Sequence, residues 1–207
     1  MSKIKVSLVA GAIGLVLLLM GLIIANPFVM VGPGERGVVL VWGKVQDQIF
    51  DEGLHIVTPI ATVVRIVDVK TQKEEVDASA ASKDLQTVSA RVALNYHLDP
   101  LKVNVLWQEI GKDYNARVID PSVQEAIKAV TAIYSAEELI TKRTEVREHI
   151  KTALKERLEK HHILVDEFSI VNFEFSASFN QAIEAKVTAE QQALTYKNRL
   201  EKIKFEA

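Results

Sequence analysis

The sequence LQTVSARVALNYHLDP, residues 85–100, changes its hydrophobic period within a few positions. From Leu85 to Leu98, apolar residues nearly alternate with polar ones, which is typical of a strand with one buried face. Asp99 and Pro100 then supply an N-cap and a proline at the first helical position, and helix-like spacing follows. The stretch therefore separates a β-rich part of the chain from a helical part, and it predicts an α+β fold.

The residues before this boundary predict an antiparallel sheet of several strands. Four runs are rich in β-branched and aromatic residues, namely VVLVW, LHIVTPI, TVVRIVDVKTQ and LQTVSARVALNYHL. Turn residues such as Gly53 and Pro59 separate the runs. Because proline cannot donate a hydrogen bond to a neighbouring strand, we expect Pro59 at an edge or at a strand end.

Helices dominate the residues after the boundary. A short helix over residues 101–110 ends at Gly111, and Asp120 with Pro121 repeats the start signal for a second helix. A capping box of Ser135 and Glu138 opens a third helix. We expect one face of this third helix to pack on the sheet through Leu139, Val146, Ile150, Leu154 and Leu158. Residues 163–175 then return to strand character.

The last part of the chain, residues 177–207, contains neither proline nor glycine and predicts a long helix. Its small and apolar residues recur in an alternating four-and-three spacing that is typical of a coiled-coil seam. The residues of this predicted oligomer seam are Ala182, Lys186, Ala189, Ala193, Tyr196, Leu200 and Ile203. A projecting helix of this length needs a partner helix more than it needs helix propensity, so the seam predicts assembly.

Residues 6–25, VSLVAGAIGLVLLLMGLIIA, contain no charged residue. A helix of this length spans about 30 Å, the thickness of the hydrocarbon core of a bilayer, and we predict a single transmembrane helix. A cleavable signal peptide is the alternative, but the run exceeds the usual apolar region and lacks a small-x-small cleavage pattern. The residues that we assign to the membrane anchor are Val6, Ala10, Gly14, Leu18, Leu22 and Ala25.

The distribution of basic residues around this segment predicts its orientation. Lys3 and Lys5 precede the segment, whereas only Arg36 and Lys44 follow within the next stretch. The positive-inside rule therefore favours an amino terminus on the cytoplasmic side and a body on the opposite side of the membrane.

Composition excludes several classes of function. The chain has 25 basic and 27 acidic residues and a net charge of −2, so it lacks the basic footprint of a nucleic-acid-binding protein. It has no cysteine, which excludes disulfides, thiolate zinc sites and thiol nucleophiles. The five histidines show no metal-binding spacing.

Other patterns that could carry chemistry have simpler interpretations. GPGERG, residues 32–37, matches G-x-G-x-x-G, but a β-rich run follows it where a dinucleotide site requires a helix. We interpret Asp113, Asp120 and Glu125 as helix starts. We interpret a second set of acidic residues as an exposed strand face. This set consists of Glu74, Glu75 and Asp77. We therefore predict no catalytic residue, no cofactor, no metal and no enzymatic activity.

Several longer segments resemble the prohibitin family of the SPFH (Band 7) superfamily, which also contains stomatins and flotillins. The features that favour prohibitins over stomatins are SKDLQ, ELITKR and EAK-x-x-AEQ. The segments that carry the resemblance are PGERGVV, EGLHIVTPI, SKDLQTVSARVALNYHLDP, IGKDYNARVIDPSVQEAIKAVTA, AEELITKR and SIVNFEFSASFNQAIEAKVTAEQQAL.

This resemblance implies three parts: a membrane anchor over residues 1–31, a two-lobed SPFH domain over 32–176, and the start of a coiled-coil arm over 177–207. It also implies a scaffold that forms large rings or domes with copies of itself or of a paralogous subunit, and that compartmentalises membrane lipid. The alternative is a small-complex regulator of a membrane AAA protease of the FtsH type or of another membrane protein. Since family members usually continue through a longer coiled coil, we expect the arm either to be short or to continue beyond Ala207.

Overall fold

The computed structural model describes residues 26–206. These residues form two compact units, and the chain passes between them more than once. The first unit comprises residues 26–71 and 97–113, and the second comprises residues 72–96 and 114–206. The predicted anchor, residues 6–25, lies outside the described residues. Within residues 26–206, no helix has both the length and the apolar composition needed to cross a bilayer.

The first unit is mostly antiparallel β-structure. Its strands are β1 Phe28–Val31, β2 Glu35–Val41, β3 Lys44–Phe50, β4 Gly53–Ile56 and β5 Thr62–Asp68, and its helix is α1 Val103–Glu109. Three strands form a sheet in the order β3-β2-β5, and β1 pairs with β4 in a separate two-stranded ribbon. Pro59 lies in the loop between β4 and β5, as predicted.

A small apolar cluster holds the first unit together. Val31, Val39 and Phe50 are buried in it. Gly37 is required at its position because an added Cβ would lie 2.8 Å from Val64 Cγ1 and 3.0 Å from Phe50 Cβ. Helix α1 closes the edge of β3, where the buried Asn104 donates hydrogen bonds to the backbone carbonyls of residues 46 and 47.

The second unit is built on a sheet of order β6-β7-β8, in which β6 and β7 are antiparallel. Its strands are β6 Gln72–Ala81, β7 Thr87–Leu98 and β8 Ile163–Phe175, the end of β7 belonging to the first unit. Its α-helices are α2 Asp120–Thr131, α3 Ala136–Thr141, α4 Arg143–Leu158 and α5 Ala177–Glu206. A π-helical turn, Asn115–Ile119, precedes α2, and a 3-10 turn, Glu159–His161, follows α4.

The core of this unit lies on one face of β7. Val88, Val92, Leu94 and Tyr96 are completely buried, as their alternation with polar residues predicts. Helix α2 packs against β6 and α4, and α4 packs against β8. The predicted apolar face of the third helix is confirmed, since all five of its residues are completely buried. The mixed architecture of antiparallel sheets and packed helices is therefore the one predicted.

Of three predicted helix starts, one is confirmed and two differ from the prediction. The capping box is present, since Ser135 Oγ accepts from the N–H of Glu138 and Glu138 Oε2 accepts from the N–H of Ser135. Asp99 is not the N-cap of a helix, because its carboxylate accepts from Leu101 N–H in a turn and α1 begins only at Val103. Asp120 is also not an N-cap, because the preceding π-helical turn already holds Ile119 in a helical conformation.

The predicted third helix is in fact two helices. Lys142 has φ −105° and ψ 30°, which separates α3 from α4. Beyond this break, Arg143 Nη2 donates to the carbonyl oxygen of Ile170 at 2.6 Å, and this hydrogen bond fixes the start of α4 on β8. A contact so distant in sequence has no signal in the local apolar pattern.

The core of the second unit generates a first prediction. Leu154 is completely buried on α4, so Leu154→Ala should lower the free energy of unfolding by about 2–5 kcal/mol, because it removes buried apolar area and leaves a cavity. Urea denaturation followed by far-ultraviolet circular dichroism measures this loss. The matched control is Thr152→Ala on the exposed side of the same helix, which should change stability by less than about 0.5 kcal/mol. Equal effects of the two substitutions would contradict the described packing.

Candidate functional surfaces

The predicted seam lies on a single helix, α5, which runs for 30 residues from Ala177 to Glu206. At about 1.5 Å per residue this helix is about 45 Å long. Its start is attached to the second unit: the rings of Phe175 and Phe179 lie 5.3 Å apart, and Phe179 and Ile183 are half-buried. From Glu184 to Arg199 every side chain is exposed, so most of the helix has no partner in the described chain.

The structure places all the seam residues on this helix, and those with described side chains are exposed. Ala182, Ala189, Ala193 and Tyr196 face solvent. The predicted seam member Lys186 instead binds within the chain, with its Nζ 3.2 Å from Glu137 Oε2 on α3. Leu200 and Ile203 belong to the helical backbone of α5.

Sequence reasoning missed a second apolar face of α5. Val187 and Leu194 are large, apolar and exposed, and they continue the line that begins at the half-buried Ile183. Their spacing of four and seven residues is the signal that could have revealed them. The exposed part of the arm is therefore apolar over a wider face than the alanine seam alone.

A second exposed apolar surface lies on the ribbon of β1 and β4. Phe28 pairs with Ile56 and Met30 pairs with Leu54, and the four side chains share one face because directly opposed residues point to the same side. Between 52% and 76% of each of these side chains is exposed. We call this set of four residues the ribbon face. On the opposite side of the ribbon, Val31 is buried and His55 stacks on Phe50 with ring centroids 4.2 Å apart.

The G-x-G-x-x-G segment forms the turn between β1 and β2 and the first residues of β2, so a strand follows its first glycines, as the β-rich run predicts. Arg36 binds Asp51 at 3.3 Å and Glu52 at 3.2 Å. Glu52 Oε1 also accepts from the N–H of Gly34 at 3.0 Å. The hydrogen bond from Gly34, followed by that from Arg36, lowers the pKa of the Glu52 carboxyl. This ion cluster ties the turn to the start of β4.

Four of the six carboxylates that we examined for chemistry have an ion-pair or hydrogen-bond partner. Lys73 lowers the pKa of Glu75, and Arg91 lowers the pKa of Asp77, by hydrogen bonding to each carboxylate. Glu74 accepts a hydrogen bond from Asn115, and Glu125 lies 3.5 Å from Arg157. The bonds from Lys73 and Arg91 therefore favour the ionised forms of Glu75 and Asp77.

Three other titratable side chains, those of Tyr96, His149 and His55, make hydrogen-bond contacts within the described chain. Burial raises the pKa of Tyr96, whose hydroxyl donates to Asn115 Oδ1 at 2.9 Å. His149 contacts the Tyr134 hydroxyl, and His55 contacts the backbone carbonyl of residue 51. Within the described ranges, no cluster of three or more His, Asp or Glu side chains could hold a metal ion.

Comparison with known proteins agrees with these features. Residues 29–204 match the family model described as SPFH domain / Band 7 family. The chain is 36% identical over 187 residues to prohibitin-2 of Saccharomyces cerevisiae, an alignment that covers 89% of this chain and 60% of that protein. It is 31% identical over 175 residues to prohibitin-2 of Bos taurus, covering 84% of this chain and 58% of the relative. It is 30% identical over 184 residues to mitochondrial prohibitin complex protein 1 of Caenorhabditis elegans, covering 88% of this chain and 67% of the relative.

The chain therefore belongs to the SPFH domain / Band 7 family. All three relatives are prohibitins, so the predicted resemblance to prohibitins within this family is confirmed. The chain spans about 60% of the length of the first two of these relatives.

The ion cluster around Arg36 generates a prediction about acid stability. Because the folded-state pKa of Glu52 is lowered, its carboxylate stabilises the fold above its ordinary value of 4.5, and this contribution is lost as the pH falls through the folded pKa. Glu52→Gln should therefore reduce the fall in thermal midpoint between about pH 5 and pH 3. The control is Glu109→Gln, which removes a carboxylate from α1 of the same unit. An unchanged pH profile for Glu52→Gln would show that the cluster does not stabilise this unit.

Proposed function

We propose that this chain is a prohibitin-like membrane scaffold that assembles with copies of itself, or with a paralogous subunit, into large ring- or dome-shaped oligomers. Such an assembly would compartmentalise a patch of membrane and modulate the quality control of membrane proteins. The observation that carries the proposal is the arm: α5 is 30 residues long, yet its side chains from Glu184 to Arg199 are all exposed.

A helix of this kind is stabilised mainly by packing an apolar face, because helix propensity alone is marginal in water. Val187, Leu194 and Tyr196 are exposed apolar residues on it, and the alanines of the seam allow a second helix to approach closely. Since each copy would be anchored in the same membrane, neighbouring arms would run parallel. A contact between two different faces of identical helices repeats from copy to copy, and it closes into a ring when the rotation allows.

The ribbon face supports attachment to a membrane. Phe28 follows the predicted anchor, which ends at Ala25, by only a few residues. The exposed side chains of Phe28, Met30, Leu54 and Ile56 therefore belong to the part of the body that must stay near the bilayer. Apolar surface that enters the boundary between headgroups and acyl chains is stabilised in proportion to its buried area. We propose that membrane lipid contacts this face.

The topology belongs to the same proposal. Residues 6–25 would form a single-pass anchor. The amino terminus would lie on the cytoplasmic side and the body on the opposite side, because the basic residues Lys3 and Lys5 precede the anchor. The relative from Caenorhabditis elegans is named as a protein of a mitochondrial prohibitin complex, which supports assembly with related subunits. A membrane AAA protease of the FtsH type is the partner that a regulatory role would require.

The arm generates the test of assembly. Ala189→Glu combined with Ala193→Glu should break the large complex into small species, because two negative charges per copy would enter a closely packed seam. Mass photometry of detergent-extracted protein measures the change. The control is Thr188→Glu combined with Thr195→Glu, which adds the same charge about 130° around the helix axis from the centre of the seam pair, given 3.6 residues per turn.

Each outcome of this experiment is informative. A large complex that survives the control but not the seam variant supports assembly through the arm. Equal disruption by both variants would contradict the seam. A wild-type species of one copy would contradict the scaffold. One copy with a stoichiometric protease partner would support the small-complex regulator instead.

The ribbon face generates a separate prediction, which uses the absence of native cysteine. An environment-sensitive fluorophore on Met30→Cys, in full-length chain reconstituted into vesicles, should emit at shorter wavelength than in water and be quenched by bromine-labelled lipid. The control site is Ser89→Cys, an exposed position on the sheet of the second unit. Water-like emission from the label at residue 30 would contradict a lipid contact of the ribbon face.

A further inference from the structure

A small cavity in the second unit gathers positively charged and hydroxyl side chains. It has a volume of about 180 Å³ and lies between the first turns of α4 and strand β8. Arg143, Thr144 and Arg147 line it from the helix, and Ser169 and Ile170 line it from the strand. We call this cavity the Arg143 pocket. None of its lining residues belongs to the ribbon face or to the arm.

The hydrogen bonds around the pocket leave several donors unused. Arg143 has no carboxylate partner among the described residues, where its side chain donates only from Nη2 to the carbonyls of Ile170 and Val171. The hydroxyls of Thr144 and Ser169 make no hydrogen bond within the part of the chain that the structure describes. A guanidinium carries five N–H donors in a rigid fork, so Arg143 retains donors beyond those it uses on β8.

The charges near the pocket do not cancel. Arg147 binds the neighbouring Glu148, with Nη2 2.9 Å from Oε1. Lys151, one turn further along α4, binds Glu167 of β8 at 3.2 Å. Both of these cations are therefore matched by a carboxylate, and the charge of Arg143 remains. An unmatched guanidinium next to a cavity with free hydroxyls favours an anionic ligand.

The arrangement of the donors narrows the class of anion. They come from two elements, α4 on one side of the cavity and β8 on the other. A tetrahedral oxyanion offers acceptor oxygens that do not lie in one plane, whereas the lone pairs of a carboxylate all lie in the plane of the group. Guanidinium groups also match phosphate geometry through paired N–H groups. The volume of the pocket, about 180 Å³, can hold one such group but not the whole of a larger ligand.

We propose that the Arg143 pocket binds a phosphate group through the unmatched guanidinium of Arg143 and the hydroxyls of Thr144 and Ser169. Arg147, whose bonds to Glu148 use only Nε and Nη2, can add a further donor from Nη1. The phosphate comes either from a lipid headgroup with a terminal phosphate monoester or from a soluble phosphate. In both cases binding bridges α4 and β8 and stabilises the break between α3 and α4.

Isothermal titration calorimetry of the full-length chain in detergent tests the proposal with inorganic phosphate as the probe. Wild-type protein should bind with saturable heat. Arg143→Gln should weaken binding by at least about tenfold, since it removes a charge-assisted hydrogen-bond donor. Arg157→Gln is the matched control: this residue lies on the same helix, pairs with Glu125 and lies outside the pocket lining, and the affinity should not change.

Two further variants keep the test valid if Arg143→Gln unfolds the chain through loss of its bond to Ile170. Thr144→Val and Ser169→Ala remove hydroxyls that support nothing else in the described structure, and each should weaken phosphate binding by about threefold or more. Circular dichroism confirms that both remain folded.

Competition distinguishes the source of the phosphate. Detergent-dispersed phosphatidic acid that displaces inorganic phosphate identifies a lipid headgroup, whereas failure to displace it identifies a soluble phosphate, and either result supports the pocket. Absence of phosphate binding to wild type, equal loss in Arg143→Gln and Arg157→Gln, or binding of an acidic peptide in place of phosphate would overturn the proposal. The mass of the complex is measured in parallel, so that failure here is separate from failure of the scaffold proposal.

Discussion

The buried face of β7 is the constraint on which the second unit depends. Its completely buried residues, Val88 to Tyr96 in alternation, form one side of a core that α2 and α4 complete. Once this face is fixed, the outward side of the sheet carries polar residues and ion pairs such as that of Asp77 with Arg91. The same unit then positions two features that its own core does not use, the arm and the Arg143 pocket.

Among the residues that the structure describes, the arm and the ribbon face are exposed apolar surfaces that need different environments. The arm presents Val187, Leu194 and Tyr196 along a helix, which is a geometry that another helix can cover. The ribbon face presents its four side chains on a short two-stranded sheet close in sequence to the predicted anchor, which favours lipid. The proposed scaffold attached to a membrane would account for both surfaces.

Local patterns predicted much of this fold because they encode local physics. The alternation in β7, the capping box at Ser135 and the apolar face of α4 each follow from spacing within one element. The errors arose where distant contacts decide. Arg143 reaches β8, 27 residues further along the chain, so the break at Lys142 and the pocket beside Ser169 had no local signal. The ribbon likewise depends on the pairing of Phe28 with Ile56, which no spacing within either strand reveals.

The central claim is that the exposed arm joins many copies of this chain on one membrane. Its most direct test is the mass of the native complex after gentle detergent extraction, measured by mass photometry at nanomolar concentration. The account predicts a discrete species of many copies. A species of one copy under conditions that keep the chain folded would contradict it.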